Sequence, residues 1–299
     1  MTARSDSPSA ALYRGMDQPT LERQYNARAS VPSFDVEYAA TVRDSAQVQV
    51  RCTDRVSCVY DERSGEMLDL YRTGLGSPVF LWIHGGYWRA GSRHDNAFAA
   101  GGLVAQGISV AVMDYTLAPT ASIGEIVRQV RTAVQWLVRA EVTRGLHTER
   151  IHVGGSSAGG HLVGMLLADG WTQDFGLPDD VIGVALALSG LYDLTPLQHV
   201  QVNGWMRFTP EEIAAQSPER WIPARSHAHL LTAVGGHETD EFRRQTADYA
   251  ARWRQAGHAG QTVPMPEYNH FDIARTLVEP DGTLVRAVRD AILSPPARN

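Results

Sequence analysis

The stretch Ile151 to Leu162, reading Ile-His-Val-Gly-Gly-Ser-Ser-Ala-Gly-Gly-His-Leu, constrains this chain more than any other. A β-branched run (Ile151, Val153) breaks into glycines and serines, then resumes as an apolar segment with Leu162, Val163, Met165, Leu166 and Leu167. Within it Gly155-Ser156-Ser157-Ala158-Gly159 has the form G-x-S-x-G, a strand turning sharply into a helix with a serine at the corner. Such a turn crowds its neighbours, so the residues two before and two after must lack a Cβ. It lifts the serine Oγ above the sheet and starts a helix beneath it, whose dipole favours developing negative charge. Ser157 is the expected nucleophile and Ser156 an off-register neighbour. In isolation the same residues could be a Gly/Ser-rich turn, so the flanking chain has to decide.

That flanking chain alternates strands and helices. Val79–Ile83, Ile108–Met113 and Val181–Leu188 are short, wholly apolar runs, as buried parallel strands are. Leu230–Val234 and Gln261–Met265 complete the series, with a helix carrying Phe242, Tyr249, Ala250 and Trp253 between them. Ser122-Ile123-Gly124-Glu125 has capping-box form, and Ile126, Val127, Val130, Val134, Leu137 and Val138 come after it at helical spacing. Val56–Tyr60 and Met67–Tyr71, separated by Glu62-Arg63-Ser64-Gly65-Glu66, predict an antiparallel hairpin opening the sheet. Helices are also expected from Pro19, over Phe34 to Cys52, and over Thr283–Leu293. Repeated βα units imply an α/β fold with a doubly wound, mostly parallel sheet. The segment 191–227 lacks a strand and is rich in Pro and Trp; it reads as a small helical cap over the carboxyl ends of the strands, inserted in one domain spanning 11–299.

Composition removes several alternatives. A formal net charge of -6 gives no basic footprint for nucleic acid. No apolar run approaches the roughly 20 residues of a membrane span. Met1 to Ala10 is polar and Ser/Pro-rich, without the apolar region of a secretory signal, and reads as a disordered tail. Cys52 and Cys58 match neither a zinc nor a redox spacing, so a cytoplasmic location is expected. Apolar helix faces could serve a homodimer, although periodicity does not tell an interface from core. His227-Ala228-His229 and His94-Asp95 are the only hooks for a metal-dependent amidohydrolase, without a ligand set such as H-E-x-x-H, so no metal is expected.

Acyl transfer needs a base, an acid orienting it, and donors for the oxyanion, in the chain order Ser, acid, His. His270, in Glu267-Tyr268-Asn269-His270-Phe271-Asp272, lies just past the last predicted strand and is the expected base. The acid should come after Leu230–Val234, where Gly235-Gly236-His237-Glu238-Thr239-Asp240 offers Glu238 first. Asp240 is the competitor, or else the N-cap of the next helix. The oxyanion donors are expected from the Ala158 N–H and from Gly85 or Gly86 in His84-Gly85-Gly86-Tyr87-Trp88. His84 reads as a structural hydrogen-bonder holding that loop.

These residues resemble the serine-hydrolase type of arylformamidase (kynurenine formamidase), a relative of the hormone-sensitive-lipase-like esterases. The likeness rests on His84-Gly85-Gly86-Tyr87-Trp88, Gly155-Ser156-Ser157-Ala158-Gly159-Gly160, Asp114-Tyr115-Thr116-Leu117-Ala118-Pro119 and Asn269-His270-Phe271-Asp272. It also includes His237 to Gln245, on which register Glu238 falls on the family's catalytic aspartate. Two departures stand out: glutamate replaces that aspartate, and Ser156 stands where the family often has histidine. The resemblance implies an α/β-hydrolase that needs no cofactor and cleaves N-formylkynurenine to kynurenine and formate, with a small-ester carboxylesterase as the nearest alternative. An aryl leaving group wants flat apolar walls. Tyr87, Trp88, Tyr192, Trp205 and Phe208 are the expected wall residues.

Overall fold

The computed structural model describes residues 10–293. Of the tail expected over Met1 to Ala10, only Ala10 falls among them. Eight strands form one sheet in the order β1-β2-β4-β3-β5-β6-β7-β8. In chain order the elements begin with helices α1 (Gln18–Tyr25) and α2 (Phe34–Arg51), then β1 (Arg55–Asp61), β2 (Glu66–Tyr71) and β3 (Pro78–Ile83). Next come α3 (Ala100–Ala105), β4 (Ser109–Met113), α4 (Ile123–Arg139), β5 (His147–Ser156), α5 (Ala158–Leu166) and β6 (Ile182–Leu188). The chain continues with α6 (Asn203–Met206), α7 (Pro210–Gln216), β7 (His229–Ala233), α8 (Asp240–Gln255) and β8 (Gly260–Thr262). Two helices, α9 (Asp272–Arg275) and α10 (Thr283–Leu293), close it.

The hairpin β1–β2 is antiparallel, and β2 also meets β4 antiparallel. Every other pairing, from β4 through β3, β5, β6 and β7 to β8, is parallel. Helices cover both faces, so β6 is buried at all seven positions and needs no polar alternation. On one face Leu81, Ile83 and Val153 pack under α4, α5 and α8; on the other Phe80, Trp82 and Leu186 meet α3 and α10.

Three local expectations change. The last strand ends at Thr262 rather than Met265, because Pro264 and Pro266 carry no N–H for the ladder. Met265 keeps only an isolated bridge to Gly235. The capping box at α4 is half formed: the Ser122 hydroxyl accepts from the Glu125 amide, but the Glu125 carboxylate is drawn to Arg128. The N-cap of α8 is Thr239, not Asp240, which is the first helical residue.

Buried histidines set the acid stability. His152 on β5 accepts the Val184 amide on Nδ1, and burial lowers its pKa to about 3. His161 on α5 is fully buried, and burial lowers its pKa to about 4. Above the unfolded value of about 6.5 both states are neutral and pH has no lever through these rings. Below it the unfolded chain takes up protons that the native rings refuse. Each ring then removes up to about 1.4 kcal/mol of stability per pH unit. Thermal melts should show Tm falling steadily from pH 7 to pH 4.5, with a shallower fall in His152→Gln. A flat Tm across that range would contradict neutral buried rings.

Candidate active site

At the end of β5 the chain turns into α5 through Ser157, which has φ 57 and ψ -118. A non-glycine residue there is strained, and strain of this kind persists only when the surroundings over-determine it. The flanking glycines show how. A Cβ on Gly155 would lie 2.5 Å from the backbone of Gly159, and one on Gly159 would lie 2.0 Å from the Ile83 carbonyl. The Ser157 amide donates to the Leu188 carbonyl at 2.8 Å, tying the corner to the end of β6. Ser156 ends β5 opposite Leu188 and is buried.

The loop after β3 lies against this corner. A Cβ on Gly85 would come 2.8 Å from the Ser156 carbonyl and 3.3 Å from the Ser157 Cβ. Gly86 (φ 101), Tyr87 (φ 49) and Trp88 (φ 57) then run consecutively through left-handed backbone. Among the described residues the amides of Gly85, Gly86 and Ala158 donate no hydrogen bond. Unpartnered N–H groups close to a nucleophile are what an oxyanion requires. His84 braces the loop as expected: its Nδ1 lies 2.8 Å from the Gly85 carbonyl. Burial pushes the His84 pKa down, which keeps the ring neutral. Tyr115 stacks on His84 at 4.2 Å and its hydroxyl donates to the His84 carbonyl at 3.0 Å.

Glu238 and His270 meet on the same rim. The imidazole Nδ1 lies 2.5 Å from Glu238 Oε2, with both side chains buried. Glu238 Oε1 accepts from the Gly235 amide at 2.7 Å and from the Ser189 hydroxyl at 2.5 Å. Asp240 points away, with its side chain 76% exposed and paired with Arg243. Among the described residues no hydrogen bond joins the Ser157 hydroxyl to His270. The two are linked through the end of β6, where Leu188 holds the Ser157 amide and Ser189 holds Glu238.

Four of the five expected wall residues form one cluster beside the glycine loop. Trp88 packs edge-on against Phe208 at 6.0 Å and against His161 at 5.0 Å. Trp205 donates its indole N–H to the Tyr87 carbonyl, and Tyr87 lies edge-on to Trp88. Trp88, although in the cluster, is fully buried and is core rather than open wall. Tyr192 lies outside the cluster altogether. Its ring stacks face to face on Tyr249 of α8 at 4.1 Å, and it is a core residue rather than a wall. An aromatic in a loop carries no mark in the sequence of which side it packs on.

The N-terminal helix, which no sequence motif connects with the site, is tied to both halves of it. The Tyr25 carbonyl accepts from the Tyr87 hydroxyl at 2.5 Å, while the Tyr25 hydroxyl donates to Glu241 Oε2 at 2.7 Å. Next to it the Gln24 carbonyl accepts from Thr239, directly after Glu238. One strap therefore pins the glycine loop and the acid-bearing turn together. Contacts spanning 62 to 216 residues leave no local pattern that could have announced this.

With the geometry in view, likenesses to known proteins carry weight. A family profile described as BD-FAE matches residues 68–181. Kynurenine formamidase of Salmo salar is 28% identical over 283 residues, covering 90% of this chain and 94% of that protein. The crystal structure of a putative thioesterase from a Silicibacter species aligns with a TM-score of 0.77 at 26% identity, covering 89% of this chain and 97% of that one. A Pyrobaculum calidifontis esterase shares the fold, with a TM-score of 0.71 at 17% identity over 93% of each chain. The chain has an α/β-hydrolase fold and is similar to kynurenine formamidases. It is an enzyme of the hydrolase class. No helix among the described residues of this hydrolase is long and apolar enough to cross a membrane.

Proposed function

We propose that this protein cleaves an aryl formamide, N-formylkynurenine in the first instance, through a formyl-enzyme on Ser157. The reading rests above all on one arrangement: a buried Glu238–His270 pair on the same rim as a strained serine corner and unpartnered glycine amides. Ser157 Oγ attacks the formyl carbon as His270 takes its proton, and Glu238 stabilises the imidazolium through Nδ1. That proton transfer needs the serine–imidazole contact to close when substrate binds, as catalytic hydrogen bonds often do. The amides of Ala158 and of Gly85 or Gly86 hold the oxyanion. His270 then protonates the departing aniline nitrogen, the C–N bond breaks, and the amine leaves. Water, deprotonated by His270, attacks the formyl ester and releases formate, returning the proton to Ser157.

The acyl side supports a small acyl group. Ser157 is only 7% exposed, which favours a small acyl group over a long one. Tyr87 and Trp205, the half-buried members of the cluster, are the candidates to flank an aryl leaving group, with Trp88 and Phe208 packed behind them. The name carried by the Salmo salar relative agrees with this substrate class.

A substrate panel tests the proposal. N-formylkynurenine should be turned over with kcat/KM at least about tenfold above p-nitrophenyl butyrate, which carries a longer acyl chain, a discrimination of about 1.4 kcal/mol. Esters hydrolysed while formamides are untouched would leave a carboxylesterase with the same machinery.

A further inference from the structure

We propose that Ser189 is a positioning residue for the triad acid: its buried hydroxyl fixes the Glu238 carboxylate so that one oxygen is committed to His270. This inference rests on the serine-hydrolase reading above and adds a group that the acid–base–nucleophile pattern does not contain.

Three observations carry it. Ser189 is fully buried, and its Oγ donates to Glu238 Oε1 at 2.5 Å, as short as the Glu238–His270 contact itself. The Gly235 amide donates to that same oxygen, so Oε1 is occupied twice and only Oε2 is left to face the imidazole. Finally, Ser189 holds φ 48, backbone that glycine adopts at no steric cost. Its own amide donates to the Ala233 carbonyl, which locks it between the ends of β6 and β7. A strained, buried residue whose hydroxyl points at a carboxylate is strain maintained at a functional position.

The chemistry comes from charge. A carboxylate accepting hydrogen bonds is stabilised as the anion and becomes less basic. Two donors on Oε1 also prevent the carboxylate from rotating, so the imidazole keeps its Nδ1–H tautomer and presents Nε2 to the serine. Without the Ser189 hydroxyl the carboxylate gains proton affinity and its pair with the imidazolium tightens. The dyad then releases its proton at a higher pH, and the acid limb of the rate profile moves up. Around the pair, Phe242 and Phe271 are apolar, and Tyr192, which feels the Glu238 charge, stays neutral because burial pushes its pKa far up.

Ser189→Gly and Ser189→Ala separate the hydroxyl from the backbone. Both delete the oxygen, but only glycine relieves the left-handed strain. The readout is the rate of labelling by a fluorophosphonate across pH, which needs no knowledge of the natural substrate. Both full-length variants should label about tenfold or more slowly. Their acid limbs should rise by up to about one to two units, the size of one charge-assisted hydrogen bond. The Tm of Ser189→Gly should not fall below that of Ser189→Ala. An unchanged rate and limb in Ser189→Gly, or a loss confined to Ser189→Ala, overturns the inference alone. Wild-type protein that takes no adduct overturns the serine reading and this inference with it.

Discussion

Replacing Ser157 by alanine is expected to lower kcat/KM for N-formylkynurenine by a factor on the order of 10⁵, the scale seen when a serine nucleophile is removed. The residual rate would come from the oxyanion amides and from binding, which the substitution leaves in place. Stability should hardly move. The Ser157 hydroxyl makes no hydrogen bond among the described residues, and alanine at φ 57 inherits the strain without adding to it. The covalent fluorophosphonate adduct seen by mass spectrometry should disappear with the same substitution. Ser156→Ala is the control, because Ser156 ends β5 and stands one residue off the corner. It should keep the adduct and most of the turnover. Adduct retained in Ser157→Ala but lost in Ser156→Ala would move the nucleophile by one residue and dismantle the elbow reading.

Glu238→Gln should lower kcat by about 10³ to 10⁴ with KM changed little, since neither shape nor volume is lost. Glutamine has one acceptor oxygen and one NH₂ where the site offers three donors: Ser189 Oγ, the Gly235 amide and His270 Nδ1. If its oxygen satisfies Ser189 and Gly235, its NH₂ faces Nδ1 and forces the wrong imidazole tautomer. If it turns over, the NH₂ meets two buried donors instead. Either orientation also removes the charge that stabilises the imidazolium. Asp240→Asn breaks only an exposed pair with Arg243, worth little, and should leave kcat within about twofold. Steady-state kinetics on the two variants decides which carboxylate is the acid. A larger loss in Asp240→Asn would reverse the assignment.

Much of the site could be read along the chain because an α/β-hydrolase puts its reactive groups just past strand ends. Val79–Ile83, Val181–Leu188 and Leu230–Val234 betray themselves as apolar runs. Gly85 and Gly86 sit directly behind the first and Glu238 behind the third, while His270 closes the series, so their order and approximate places were legible. The elbow was legible for a stricter reason: backbone within 2.0 Å of a would-be Cβ admits glycine alone.

What the linear chain determined by itself was therefore the alternation of strands and helices, the serine corner, and the places of Glu238 and His270 behind later strand ends. Each of these depends on spacing within some ten residues, where backbone geometry and periodicity act directly. The tertiary structure alone decided that Ser189 grips Glu238, that Tyr25 straps the glycine loop to the acid turn, and that Tyr192 stacks on Tyr249 instead of lining the site. Those contacts join segments 49 to 216 residues apart in the cases of Ser189 and Tyr25 with their carboxylate partners. A hydroxyl or a ring is chemically the same wherever it points. Only the packing of one element on another tells it which neighbour it meets.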